Sequence, residues 1–376
     1  MTEQAEILFS DEQAQLMDIA ESFSASKSPI DAVRRRIEAE SAIEVELWRE
    51  MAVLGWLGIA ISEEYGGSGL GLGEVVSIVE PMGRRLFSAP LASTTLVAQT
   101  VLLGGDKAQK SHWLPQLAGG TVAALALTEA HGDWDLSNLT CAAERAGGTI
   151  TLSGGKTFVT DAAMADVLLV SVALDGAPAL VLLETSALPS AALRREVVID
   201  ETRRSHAVDL NGVEVPSANL LPQDGAADCL KSLHLSACLL YAAEMCGGTA
   251  GVINVTLEYL LTRRQFDHFI GAYQALKHPM VDALVGLEQA RSHLYHAATI
   301  FDPANAAEGE IAVRMAKAQA ADAFAFASDR AIQFHGAFGF TYDCDAQLYR
   351  RRALWCEQQH GDGAHHRKHL AGLLLD

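Results

Sequence analysis

Two changes of pattern along the 376-residue chain, from helical to β-rich and back, predict an α+β multi-domain fold. They give an N-terminal α-helical domain over 1–121, a central antiparallel β-barrel or sandwich over 122–225, and a C-terminal four-helix bundle over 226–376. Apolar residues recur at helical spacing through 9–127. Short β-rich runs cut by Gly, Asp and Pro then take over, and long helical patterns return from about 226 onward.

In the first block, Ser10 stands as an N-cap before Leu16, Ile19 and Phe23, which share one helical face. Helical patterns follow at 46–56, 73–86 and 91–103, the last stopped by Gly104-Gly105. The glycine-rich stretch at 63–73 does not follow a strand, so it reads poorly as a phosphate loop. In the second block, VAALALTEA, GGTITLSGGKTFVTDA, DVLLVSVAL, PALVLLETS and HAVDLNGVEVP read as strands separated by turns. Their spacing favours a small antiparallel barrel or sandwich over alternating strands and helices. The third block predicts helices over 228–264, 271–300, 307–335 and 345–374.

Composition narrows the function classes. The formal net charge is −19, which repels phosphate backbones and anionic lipid surfaces and excludes a nucleic-acid-binding role. Half the chain is hydrophobic, at 49%, enough for a large core. The six cysteines show neither a C-x-x-C pair nor metal-ligand spacing, so no metal site and a reducing compartment are expected. The polar, acidic start lacks a signal-peptide core and no uninterrupted apolar stretch of about 20 residues occurs, so a cytoplasmic protein without a membrane span is expected.

Several segments, in order, carry a resemblance. They are GWLGIAISEEYGGSGLGLGEVVSIVEPMGR (55–84), WLPQLAGG with ALALTE (113–129), GGKTFVTDA (154–162), RRQF with YQALKH (263–278), and QFHGAFGFT (333–341). Over essentially its whole length the chain resembles the acyl-CoA dehydrogenases. The resemblance implies FAD as cofactor, an acyl-CoA thioester as substrate, and α,β-desaturation. In that chemistry a carboxylate takes the α-proton and a hydride leaves the β-carbon for the flavin. It also implies an electron-transfer flavoprotein-like acceptor, and FAD lying across a subunit interface of a homo-oligomer or of a hetero-oligomer with a related subunit. By position, Thr128, Phe158 and Thr160 match residues at the flavin ring. Arg263, Phe266, Gln333 and Gly336 match residues that reach a neighbour's FAD. Plainer roles exist for each: a strand residue for Thr128, core packing for Phe158, a helix-end charge for Arg263, a cap or interface residue for Gln333.

The pattern breaks twice. Where the family carries P-x-x-G-S-D, this chain reads Ala130-His131-Gly132-Asp133-Trp134-Asp135, which puts bulk and negative charge beside the expected pyrophosphate. Where the family carries its catalytic Glu, this chain has His360, and at the alternative Glu position it has Ala237. Three readings follow. His360 is the base, its ordinary pKa near ~6.5 suiting proton abstraction. Glu244, two helical turns from Ala237, is the base, or else a paired structural carboxylate. Or the chain is a catalytically silent partner, lending Arg263, Phe266, Gln333 and Gly336 to FAD held by a sister subunit in an α2β2 complex.

Overall fold

Ser10 closes a capping box at the first helix, its hydroxyl accepting from Gln13 N at 3.0 Å while Gln13 Oε1 accepts from Ser10 N at 3.1 Å. That helix, α1 (Asp11–Lys27), opens a computed structural model that describes residues 10–39 and 43–375; the expectations for the first nine residues lie outside it. It is followed by α2 (Ile30–Glu38), α3 (Val45–Val53), α4 (Leu72–Arg84), α5 (Leu91–Gly104) and α6 (Lys107–Gly119). The glycine-rich loop before α4 folds back on residues 58–61: Ser68, Gly69 and Leu70 donate their amides to Gly58, Ile61 and Ile59 carbonyls at 2.8–3.0 Å. Those amides are spent inside the protein rather than offered to an anion.

The central strands are β1 (Ala123–Ala126), β2 (Ala142–Ala146), β3 (Thr149–Ser153), β4 (Gly155–Thr160), β5 (Val167–Leu174), β6 (Ala177–Glu184), β7 (Leu193–Glu196), β8 (Ser205–Asp209) and β9 (Val213–Pro216). They form a six-stranded sheet, ordered β1-β5-β2-β3-β9 with β6 also on β5, and a three-stranded sheet β4-β8-β7. Most pairings are antiparallel, as expected, but β1 and β2 each lie parallel to β5. The reason is a crossover: β5 returns between β1 and β2 after a long excursion, and neighbours that are not consecutive in the chain leave no local sequence signal. β5 and β6 are almost wholly buried and carry the sheet's core.

The C-terminal bundle is built on α7 (Ala226–Thr262), followed by a two-stranded hairpin of β10 (Arg264–Gln265) and β11 (His268–Phe269). Then come α8 (Gln274–Ile300), α9 (Ala306–His335), α10 (Asp345–Gln358) and α11 (Gly363–Leu375). α7 is long and apolar enough to cross a membrane, but its most apolar window is 94% buried inside the bundle. It takes α4 at backbone range: a side chain at Gly83 or Gly247 would collide with the opposing helix backbone. The helix expected over 345–374 is in fact two. Gln359–Asp362 break it, with His360 at φ 56° and Gly361 at φ 100°, so the chain turns where His360 stands.

Candidate functional site

Thr128, Phe158, Thr160 and His360, widely separated in sequence, line one cavity of about 460 Å³ between the β-sheets, α5 and the bundle. Each is placed by a local device. Thr128 follows β1, and its carbonyl accepts from Thr157 N at 2.9 Å, tying the end of β1 to β4. Lys156, fully buried, stitches the same joint, donating to Leu127 O at 3.2 Å, Ser171 Oγ at 3.1 Å and Glu129 Oε1 at 2.8 Å. Burial alone would raise the Glu129 carboxyl, but hydrogen bonds from Lys156, Thr140 and the Cys141 amide bring it down to about 2.

β4 keeps Lys156 and Val159 inside, yet its register against β8 shifts between them. That bulge sets Phe158 at φ 54° and leaves its ring 47% exposed on the cavity side. The bulge is held by Glu196, whose Oε2 accepts from Phe158 N at 2.8 Å and from Ser205 Oγ at 2.9 Å. The opposite wall is α10. Trp355 lies edge-on to Phe158, ring centres 6.5 Å apart, and its buried indole N–H has no partner among the described residues.

The turn carrying His360 is fixed from below by Lys317. This fully buried ammonium donates to Cys356 O at 3.3 Å and Glu357 O at 3.2 Å, two of the last carbonyls of α10, and to Gly361 O in the turn at 2.8 Å. The imidazole of His360 meets the rings of His234 at 5.5 Å and Tyr241 at 5.7 Å. Burial, reinforced by the Lys317 charge, lowers the His360 pKa to about 4, below the ordinary ~6.5 expected from the sequence, so the ring is neutral at neutral pH and a weaker proton acceptor than expected. Burial raises the Tyr241 hydroxyl well above its usual range, so it stays protonated.

Glu244 behaves differently. It does not line the cavity; its carboxylate accepts from Arg203 and Arg352. Arg352, fully buried, also grips Asp200 and Thr202 and donates to Ser88 Oγ at 2.8 Å. Burial would raise the Glu244 carboxyl, yet the two guanidiniums outweigh it and hold the group below its usual value. A carboxylate so paired is a poor proton acceptor, and the expectation of Glu244 as a base gives way to its structural alternative. The structure also separates the remaining expected residues from the cavity. Arg263 lies 22 residues beyond Tyr241, roughly 33 Å along the axis of α7. Arg263, Phe266, Gln333 and Gly336 are all exposed, and the stacked rings of Tyr259 and His335, 4.3 Å apart, bring the ends of α7 and α9 together beneath them.

Lys156, Glu196, Tyr241, Lys317 and Trp355 escaped sequence reading. The usable signal was a lone Lys in an otherwise apolar or small-residue run, as in GGKTFVT and AKAQAADAF. Nothing in the sequence placed Tyr241 beside His360.

Residues 10–121 match the family model "Acyl-CoA dehydrogenase, N-terminal domain", and residues 224–374 match "Acyl-CoA dehydrogenase, C-terminal domain". The chain is 30% identical over 314 residues to acyl-CoA dehydrogenase fadE12 of Mycobacterium bovis, covering 79% of each protein. Its fold matches a chain in the structure of the electron transferring flavoprotein of Acidaminococcus fermentans, with TM-score 0.90, 26% identity, and 99% and 100% of the two chains covered. It also matches a chain of the ChsE4–ChsE5 complex from Mycobacterium tuberculosis, with TM-score 0.88, 23% identity and 99% of both chains covered. With helical domain, curled sheets and bundle in the same order, the chain belongs to the acyl-CoA dehydrogenase family, whose members are FAD-dependent oxidoreductases.

Proposed function

We propose that this chain desaturates an acyl-CoA between its α- and β-carbons, with the flavin ring and the thioester end both held in the cavity that His360 faces. The carrying observation is the convergence of Thr128, Phe158 and Thr160 from the sheets with His360 from the bundle on one space. The residues fit a tricyclic ring: aromatic faces at Phe158 and Trp355, hydroxyls at Thr128 and Thr160, and the unpartnered Trp355 N–H near a place for an acceptor atom. Bound there, FAD would supply the acceptor for the β-hydride.

The chain's own residues do the rest. His360, neutral, offers an imidazole nitrogen lone pair to the α-proton. Tyr241, kept protonated, keeps a hydroxyl donor in the same cavity. The apolar lining from Leu96, Leu125, Leu127 and Leu354 excludes water and strengthens both interactions. Arg263, Phe266, Gln333 and Gly336, exposed and remote from this cavity, suit the dinucleotide arm of a neighbouring copy. Electrons would pass on to an electron-transfer flavoprotein-like acceptor. Six free thiols, five of them buried, agree with a reducing cytoplasm.

One observation favours a second reading, a silent partner within a hetero-oligomer: no carboxylate other than Asp133 lines the cavity among the described residues. Asp133 is itself tied to Asn138 Nδ2 at 2.8 Å and Asp135 N at 2.9 Å. The test is the purified protein under anaerobic conditions. A flavin absorbance band bleached by acyl-CoA supports desaturation by this chain. A colourless protein active only beside a related chain supports the silent partner, and a yellow protein that no acyl-CoA bleaches contradicts the first reading.

A further inference from the structure

The loop joining β1 to β2 reaches across the cavity and is fastened to the bundle by one side chain. Trp134 lines the cavity, donates its indole N–H to Gln358 O at 2.9 Å, and sets its ring edge-on to His365 with centres 5.1 Å apart. That is the one hydrogen bond between this loop and the α10–α11 region among the described residues.

The loop is stiff on either side of that tie. Asp133 accepts from Asp135 N and Asn138 Nδ2, and Asp135 accepts from Ser137 N at 3.0 Å. Its far end is anchored on the buried Glu129, which accepts from Thr140 N at 2.8 Å and Cys141 N at 3.1 Å. The loop is thus braced internally, and the Trp134 indole is what ties it to the end of α10. On the turn side Asp362 accepts from the amide of His365, the residue whose ring meets Trp134, at 2.7 Å.

We propose that Trp134 is a strap that limits the size of what the cavity admits. A ligand confined to the cavity leaves the strap closed; a ligand with an anionic arm running on between loop and turn must first break it. This rests on the cavity being a flavin-ring site, as proposed above. The consequence is discrimination between flavins that share a ring and differ in arm: riboflavin, FMN and FAD.

The experiment titrates flavin-free protein with each of the three, followed by flavin fluorescence, in the unsubstituted chain, Trp134→Ser and Trp134→Phe. Trp134→Ser is expected to raise the affinity for FAD relative to riboflavin about tenfold or more, since a hydrogen bond and an edge contact are both released and only FAD carries the full anionic arm. Trp134→Phe, keeping a ring but losing the N–H, is expected to tighten FAD by roughly fivefold. Equal shifts for riboflavin and FAD, or no shift, overturn the strap while leaving the ring site standing. If none of the three flavins binds any form, the ring site falls and the strap with it.

Discussion

Glu244 and His360 stand within the same helical bundle, and burial has left them with opposite company. Glu244 is met by two guanidiniums, one from the connection between β7 and β8 and one from α10. His360 is met by aromatic rings, a lysine turned toward carbonyls, and open cavity. A titratable group saturated with opposite charge is committed to stability, because protonating it strands its partners. A neutral group beside a cavity breaks no ion pair when it takes a proton, but burial and the Lys317 charge make that protonation costly, so His360 would be a weak base. The residue type that fits the family's chemistry thus sits inside an ion-pair network, and the unexpected type sits beside the cavity.

The comparison is broken most forcefully at Arg352. Arg352→Met should leave Glu244 and Asp200 buried without their shared cation and cost about 3–5 kcal/mol, read by denaturant unfolding. A loss within about 0.5 kcal/mol would mean that the network is not structural. His360→Asn should slow acyl-CoA bleaching by about a hundredfold or more with flavin content unchanged, as expected for loss of a general base. Undiminished bleaching would remove His360 from the chemistry.

Acid sharpens the contrast further. His360 and His366 have folded pKa values of about 4 and about 2, both lowered chiefly by burial, against roughly 6.5 in an unfolded chain. Between those values the unfolded chain binds more protons, so the stability these residues contribute is full above about pH 6.5 and declines as pH falls toward about 4. The expected loss by that point is on the order of a few kcal/mol, and unfolding curves at about pH 7, 6 and 5 would show it before most carboxylates titrate. Flat stability over that range would place these rings in water. The smallest expected effect is at the exposed end of α7: Arg263→Ala should change stability by less than about 0.5 kcal/mol yet weaken flavin retention in the assembled oligomer. Unchanged flavin content would leave Arg263 as a solvated charge.

What was legible in the sequence follows from how local each signal is. Ser10 marked its helix because a capping box needs only residues within one turn. The three-block order was legible because helix and strand periodicities differ over any short window. The parallel placement of β1 and β2 on β5 was not, since it depends on a crossover joining distant segments. The break at Gln359–Asp362 was also missed: QQHGDG carried a helix-ending Gly, but a polar run hid that a buried Lys317 on another helix would fix the turn. Resemblance brought Thr128, Phe158, Thr160 and His360 into view one at a time, and only tertiary packing placed them around one cavity. Glu244 was put forward from helical spacing alone, which is silent about Arg203 and Arg352 arriving from elsewhere.

The most direct measurement is single-turnover bleaching of the bound flavin by acyl-CoA in His360→Asn and Glu244→Gln, side by side, with flavin content and melting temperature recorded for each. If His360 faces the reaction, its variant bleaches at least about a hundredfold more slowly at unchanged melting temperature, and Glu244→Gln melts lower while bleaching at close to the original rate. The reverse pattern, with Glu244→Gln inert and His360→Asn unimpaired, would contradict that assignment.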